Sequence, residues 1–261
     1  MARTFAVVVA HPDDDALTWA GTVAKHALDS DFRFILVQAT DGEAGDIRDG
    51  FPASRETLGA VRRAECAAAW RAVGRPPDRL EWLGFPDGRV AEVPQAELAD
   101  RIARVLEEET PDVVATFGPD GITGHPDHIA IGAATDLAFA RLAGNGTPGF
   151  KRLLHHVLPL SVFNRWQRRR RAVDLPVFDP TRMYHWRGVP DDEVGLVVDC
   201  RAVRDRVASG ILEHRSQLHV LVDQPVDIFG VQRTMGREWA TVVWPPPLPP
   251  RRLLADVFDG L

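Results

Sequence analysis

The chain has little of what would place it outside ordinary globular proteins. Its two cysteines, Cys66 and Cys200, are the only ones in 261 residues. They form no CxxC pair and cannot build a disulfide framework, so both read as buried free thiols in a reducing compartment. No stretch approaches the roughly eighteen apolar residues of a membrane span. The early apolar run Phe5–Ala10 is shorter than the apolar region of a signal peptide and leads straight into charged residues. Positive charge is in deficit too: 31 Lys and Arg against 37 Asp and Glu leave −6. That balance argues against nucleic acid as the main partner, because phosphate backbones are held by clustered positive charge. These absences predict a cytoplasmic protein with no membrane span and no nucleic-acid partner; a homo-oligomer stays open.

What is present, 45% hydrophobic and 26% charged residues, excludes disordered, collagen-like and disulfide-scaffold classes. The length allows one large domain or two small ones. No repeat or boundary divides it, so a single domain over 1–261 is expected, with an insertion near 161–190 where no period is visible. Short β-branched runs, apolar on both faces, occur at Phe5–Ala10, Phe32–Thr40 and Asp112–Phe117 and read as buried parallel strands. Leu80–Leu83, Arg152–Leu160 and Val194–Asp199 are further strand candidates. Helical patterns lie between them at Ala16–Leu28, Arg55–Val73, Gln95–Glu109 and Ile129–Leu142, with a late one at Val203–Leu218. The alternation predicts an α/β, Rossmann-like, doubly wound and mainly parallel sheet with helices on both faces. In a sheet ordered 3-2-1-4-5 the winding reverses between strands one and four, which leaves a ligand crevice at their carboxyl ends.

Two loops would open into that crevice, His11-Pro-Asp-Asp-Asp15 and Gly124-His-Pro-Asp-His128. Together they offer His11, Asp13, Asp14, His125, Asp127 and His128, a donor set suited to a divalent metal of borderline softness. A catalytic zinc site needs three protein ligands and an open position, and a carboxylate outside the metal sphere can then take a proton from water. The plainer alternative is that Asp13–Asp15 only cap a helix, where acids favour the positive end of the dipole. The second His-Pro-Asp after another strand weighs against it. A nucleotide-binding or non-catalytic Rossmann-like module is the other alternative, but no GxGxxG follows the first strand.

Ala10-His-Pro-Asp-Asp14 with Gly21-Thr22, and Gly124-His-Pro-Asp-His128, resemble the PIG-L/LmbE-like zinc-dependent N-deacetylases. The resemblance continues through Thr40-Asp-Gly-Glu-Ala-Gly45, Arg62-Arg-Ala-Glu65, Leu83-Gly-Phe-Pro-Asp-Gly88 and His214-Arg-Ser-Gln217, and so spans most of the chain. It implies a zinc ion, with iron(II) as an alternative occupant in cells, held by His11, Asp14 and His128. It implies Asp13 as general base, His125 as the group that stabilises the oxyanion and protonates the departing amine, and Asp127 as an orienting carboxylate. Arg62 and Glu43 match positions that contact substrate. The implied substrate is a small amino sugar of the N-acetylglucosamine type, from which the N-acyl group is removed; a thiol-conjugate amidase of the same family is the runner-up. One departure is visible: the first motif usually ends in Glu, and here it is Asp15, which puts hydrogen bonds behind the ligands in question.

The run Asn164–Arg171 reads as a solvated basic surface, with a rim for an anionic substrate group as the alternative. The tail Trp244–Pro250 is expected to be extended polyproline.

Overall fold

Residues 3–222, 231–232, 234–246 and 252–261 are described by a computed structural model. Seven strands form one sheet: β1 (Arg3–Val9), β2 (Phe32–Gln38), β3 (Arg79–Trp82), β4 (Val113–Phe117), β5 (Arg152–His156), β6 (Leu196–Asp199) and β7 (Arg237–Trp244). Their order is β3-β2-β1-β4-β5-β7-β6. The first five run parallel in the expected 3-2-1-4-5 order, and the winding reverses between β1 and β4. β7 is antiparallel to both β5 and β6. The parallel centre requires residues apolar on both faces, and Phe5 to Ala10 are all wholly buried.

Among the described residues eight helices surround the sheet: α1 (Asp14–Lys25), α2 (Leu58–Val73), α3 (Gln95–Glu109), α4 (Gly121–Gly124), α5 (Pro126–Gly144), α6 (Leu160–Ala172), α7 (Arg204–Leu212) and α8 (Leu218–Leu221). α1, α2 and α7 pack against one another, and α3 packs against α5. α1 and α5 both lie against β1, so the central strand is covered on each side. The largest side chains fill these seams: Trp19 of α1 meets Phe5 edge-on at 5.5 Å, and Trp70 of α2 lies 4.7 Å from Phe34. Burying each such ring contributes roughly 1.5–3 kcal/mol.

Three elements differ from the sequence expectation. The strand expected over 152–160 stops at His156, and α6 begins after Pro159, a residue well suited to the start of a helix. The helix expected over 203–218 breaks after Leu212, because Ser216 turns inward to Glu65, donating from N at 2.8 Å and from Oγ at 2.7 Å. β7 had no counterpart in the strand expectations; it alternates half-buried and buried residues where a fully buried run would have been visible. Of the proline-rich tail, residues 247–250 lie outside the described residues. No described helix is long and apolar enough to cross a membrane.

Candidate metal centre and active site

The two His-Pro-Asp loops meet at the carboxyl ends of β1 and β4, the reversal point of the sheet. His128 lies in the first turn of α5. Its ring stacks on Phe117 at 4.2 Å, and its Nδ1 lies 3.0 Å from the Gly121 carbonyl oxygen. A carbonyl can only accept, so Nδ1 carries the hydrogen and the Nε2 lone pair faces inward. That Nε2 lies 3.2 Å from His11 Nδ1 and 3.3 Å from Asp14 Oδ1. His11 Nδ1 is in turn 3.3 Å from Asp14 Oδ2.

The far side of the His11 ring is held by carboxylates. Its Nε2 lies 3.0 Å from Asp87 Oδ1 and 3.3 Å from Asp127 Oδ2. With the Nε2 hydrogen directed there, the Nδ1 lone pair points at His128 and Asp14. Burial alone would lower the His11 pKa, yet Asp127, Asp14 and Asp87 together hold it well above its usual value. Asp14 is held below the usual carboxylate range: burial pushes it up, but His128 and His11 outweigh that. The surroundings therefore call for a positive charge, either a proton on His11 or a cation among the three groups.

A divalent metal fits this triangle. Tetrahedral coordination with bonds of about 2.0–2.1 Å has ligand-to-ligand edges of about 3.3–3.4 Å. The observed edge between the two imidazole nitrogens is 3.2 Å, and each nitrogen lies 3.3 Å from Asp14, His11 Nδ1 from Oδ2 and His128 Nε2 from Oδ1. Two imidazole nitrogens converge on the two oxygens of one carboxylate, and each imidazole has its other nitrogen occupied by an oxygen acceptor, the usual support behind a metal-bound histidine. His11, His125 and His128, and His11, Asp87 and Asp127, also come close enough to share an ion. His125 Nδ1, however, is already engaged, and Asp127 accepts from Gly88 N at 2.8 Å and Val90 N at 3.1 Å.

Asp13 stands at the N-cap position of α1, but its side chain caps nothing. Its backbone φ is 138°, in the left-handed region that non-glycine residues rarely adopt. Its Oδ2 accepts from Arg62 Nη2 at 2.9 Å, and its other oxygen has no hydrogen bond among the described residues. Burial lifts its pKa to about 7 against the pull of Arg62. Asp15, the departure from the family pattern, is wholly buried. It accepts from Trp70 Nε1 at 2.5 Å, Gln38 Nε2 at 3.0 Å and the backbone N of Asp13 at 3.2 Å. The shorter side chain is thus fully bonded, and it supports Asp13 directly.

His125 caps α5, its Nδ1 accepting the Asp127 N–H at 3.0 Å. In the neutral ring the hydrogen is therefore on Nε2. Burial, then the charges of His11 and His128, lower its pKa to about 4. Asp127 is fully buried and turns its carboxylate to His11, Gly88 and Val90; it meets His125 through the backbone. Glu43 is half-buried and accepts from Asp87 N at 2.9 Å. Arg62 is 4% exposed, with donors directed at Gly42 O, Pro12 O and Asp13.

Two site residues were given no role in the reading of the sequence, although Asp87 stands inside the motif Leu83–Gly88. Asp87, in the turn after β3, supports His11 and also accepts from Ala44 N at 2.8 Å. Tyr184, the single tyrosine of the chain, is 66% exposed and sets its ring edge-on to His125 at 5.2 Å. It belongs to the insertion expected near 161–190. That arm leaves through α6 and folds back where Gln167 exchanges two hydrogen bonds with Phe178. It then reaches the site through Arg187 N, which donates to Ile122 O at 2.8 Å. Arg168, Arg169 and Arg171 are exposed, and Arg170 lies over the Phe178 ring.

Residues 6–139 match the model of the PIG-L family, described as GlcNAc-PI de-N-acetylase. A 1D-myo-inositol 2-acetamido-2-deoxy-alpha-D-glucopyranoside deacetylase of Nakamurella multipartita is 33% identical over 262 residues, covering 90% of this chain and 85% of that protein. Among solved structures, the N,N'-diacetylchitobiose deacetylase of Pyrococcus horikoshii superposes with a TM-score of 0.63 at 19% identity, over 92% of this chain and 84% of the other. The 4-carboxy-2-hydroxymuconate hydratase GalB of Pseudomonas putida gives 0.60 at 16% identity, over 94% and 98%. Those two likenesses establish the fold and leave the reaction to the site residues.

Proposed function

The chain belongs to the PIG-L family, and from that premise we propose that it is a metal-dependent amide hydrolase that removes the N-acetyl group of an N-acetylglucosaminide. The observation that carries the reading is the triangle of His11 Nδ1, His128 Nε2 and Asp14 with the free oxygen of Asp13 beside it. His11, Asp14 and His128 hold the ion, zinc in the first instance, and iron(II) where availability favours it. The bound cation supplies Lewis acidity, making water more acidic and the amide carbonyl more electrophilic.

This chain's residues do the rest. Asp13, tied through Oδ2, takes the proton of the attacking water on its free oxygen. His125 donates from Nε2–H to the carbonyl oxygen as that atom gains charge. The C–N bond then breaks, and the proton held on Asp13, not one from His125, whose lowered pKa of about 4 leaves its ring neutral, passes to the departing amine, giving a free amino sugar and acetate. Asp127 and Asp87 fix the His11 ring so that its Nδ1 lone pair faces His128 and Asp14, where it would serve a bound ion. Glu43 faces the sugar from the 41–46 loop.

The relatives' substrate, 1D-myo-inositol 2-acetamido-2-deoxy-alpha-D-glucopyranoside, is the first candidate. The test is mass spectrometry of products after zinc-loaded protein is offered that compound, other N-acetylglucosaminides and thiol conjugates. Loss of acetyl is the expected result. Metal-loaded, folded protein that cleaves none of these amides would overturn the reading.

A further inference from the structure

We propose that Arg187 is a specificity residue that binds an oxyanion, phosphate or carboxylate, carried by the substrate beyond its sugar. The proposal rests on the reading of the site as an N-acetylglucosaminide deacetylase and narrows its substrate class.

Arg187 lies where the arm over 161–190 returns to the metal centre. Its backbone N–H donates to Ile122 O at 2.8 Å, and its guanidinium packs against Gly124, the residue just before His125. A Cβ on Gly124 would collide with Nη2 and Cζ of Arg187, and the glycine sits at φ +71°, where a side chain would be strained in any case. Glycine is therefore what lets the guanidinium come this close to the second His-Pro-Asp loop. Tyr184, three residues earlier on the arm, places its ring 5.2 Å from the ring of His125. The arm thus brings an aromatic ring and a cation to the rim of the site. Neither touches the ligand triangle.

The donors of Arg187 are not used by the protein. Nε is buried without a partner. Nη1 lies 3.4 Å from Asp120 O, longer than a normal hydrogen bond, and Nη2 bonds nothing among the described residues. No described carboxylate pairs with this half-buried guanidinium. The side chain is not needed to fasten the arm either, since backbone bonds do so, from Arg187 N to Ile122 O and from Val189 N to Leu158 O at 2.9 Å. Donors withdrawn from water without partners cost free energy, which an incoming acceptor would offset. The acceptor that suits a planar fork is a pair of oxygens on one phosphate or carboxylate. The surroundings favour the same charge: residues 161–190 hold seven arginines and two aspartates in a chain whose net charge is −6.

The test is steady-state kinetics of zinc-loaded wild type, Arg187→Gln and Arg187→Lys on N-acetylglucosamine 1-phosphate and on the neutral methyl N-acetylglucosaminide, with metal analysis and thermal melts. Wild type should favour the phosphate-bearing compound in kcat/KM. Arg187→Gln should raise KM for that compound by about 10- to 100-fold, the range for a hydrogen bond to a charged group, and leave the methyl compound little changed. Arg187→Lys keeps the charge but not the fork and should fall between the two. Metal content should stay at the wild-type level. Equal wild-type kinetics on both compounds would overturn the proposal. So would a loss in the variants that is the same for both, which would make Arg187 a support of the 121–124 turn. Should the Gln variant not fold, the Lys variant decides by the same comparison. If wild type cleaves neither compound, calorimetric binding of the two decides: phosphate-selective binding that weakens in the variants upholds the role of Arg187, and equal or absent binding overturns it. Inertness toward every N-acetylglucosaminide would count against the proposed function alone.

Discussion

Asp87 Oδ1 lies 3.0 Å from His11 Nε2, on the side of the imidazole opposite His128 and Asp14. A carboxylate there fixes which nitrogen carries the hydrogen and raises the basicity of the other. Loss of such a partner commonly weakens metal binding by about 10- to 100-fold. Asp127 shares the contact at 3.3 Å, so Asp87→Ala should fall near the lower end. Competition with a chelator would measure it, and wild-type affinity in that variant would remove Asp87 from the centre.

Asp13 and Asp14 are neighbours in sequence with opposite geometry: Asp14 faces both imidazoles, and Asp13 faces Arg62. His11→Ala, Asp14→Ala and His128→Ala should each lose metal. Asp13→Asn should keep it and lose turnover by about 10²- to 10⁴-fold, the usual cost of removing a general base. Metal analysis beside a rate assay separates the two classes. An Asp13→Asn protein that is folded, loaded and fully active would end the mechanism.

Tyr184 covers one edge of His125 from an exposed position. A ring placed there can pack on a bound sugar without touching the ligand triangle. Tyr184→Ala should therefore raise KM more than it lowers kcat, with metal content unchanged. Steady-state kinetics on an N-acetylglucosaminide would check this. A pure kcat effect would place the ring in the chemical step instead.

The parallel half of the fold was legible because each of its central strands is buried on both faces and must be written as a continuous apolar run. Phe5 to Ala10 and Val113 to Phe117 are examples. The donors at the ends of those strands were legible for the same reason, since the strands fix where the His-Pro-Asp loops emerge. β7 escaped because it is antiparallel and only half-covered, and α6 because Arg165 and Arg168 to Arg171 leave it little apolar face. Asp87 went without a role, although its motif Leu83–Gly88 was visible, and Tyr184 escaped, on other grounds. Their partner residues lie 76 and 59 positions away, counting 87 − 11 and 184 − 125, and no local period encodes a contact made by the return of a distant loop.

Glu238 of β7 is buried inside the sheet–helix seam, where it accepts from Gly21 N at 2.5 Å and from Thr22 N and Oγ1 at 2.9 and 2.6 Å. These donors favour the charged form, but burial outweighs them and lifts its pKa from 4.5 to about 7. Between those values the folded protein binds a proton that the unfolded chain has released, so stability falls as pH rises through this window. The difference of 2.5 units corresponds to a loss on the order of 3 kcal/mol, complete only above the folded value. Glu238→Gln cannot ionise, and its amide NH₂ must face a donor of α1, so the variant should be less stable than wild type at pH 5. It should not share the further decline toward pH 8. Denaturation midpoints for both proteins at pH 5, 6, 7 and 8 would show the gap closing as pH rises, and taking the difference cancels the other titrating groups. A constant gap across the series would mean that Glu238 keeps the same charge throughout, and that its three donors, not burial, set its state.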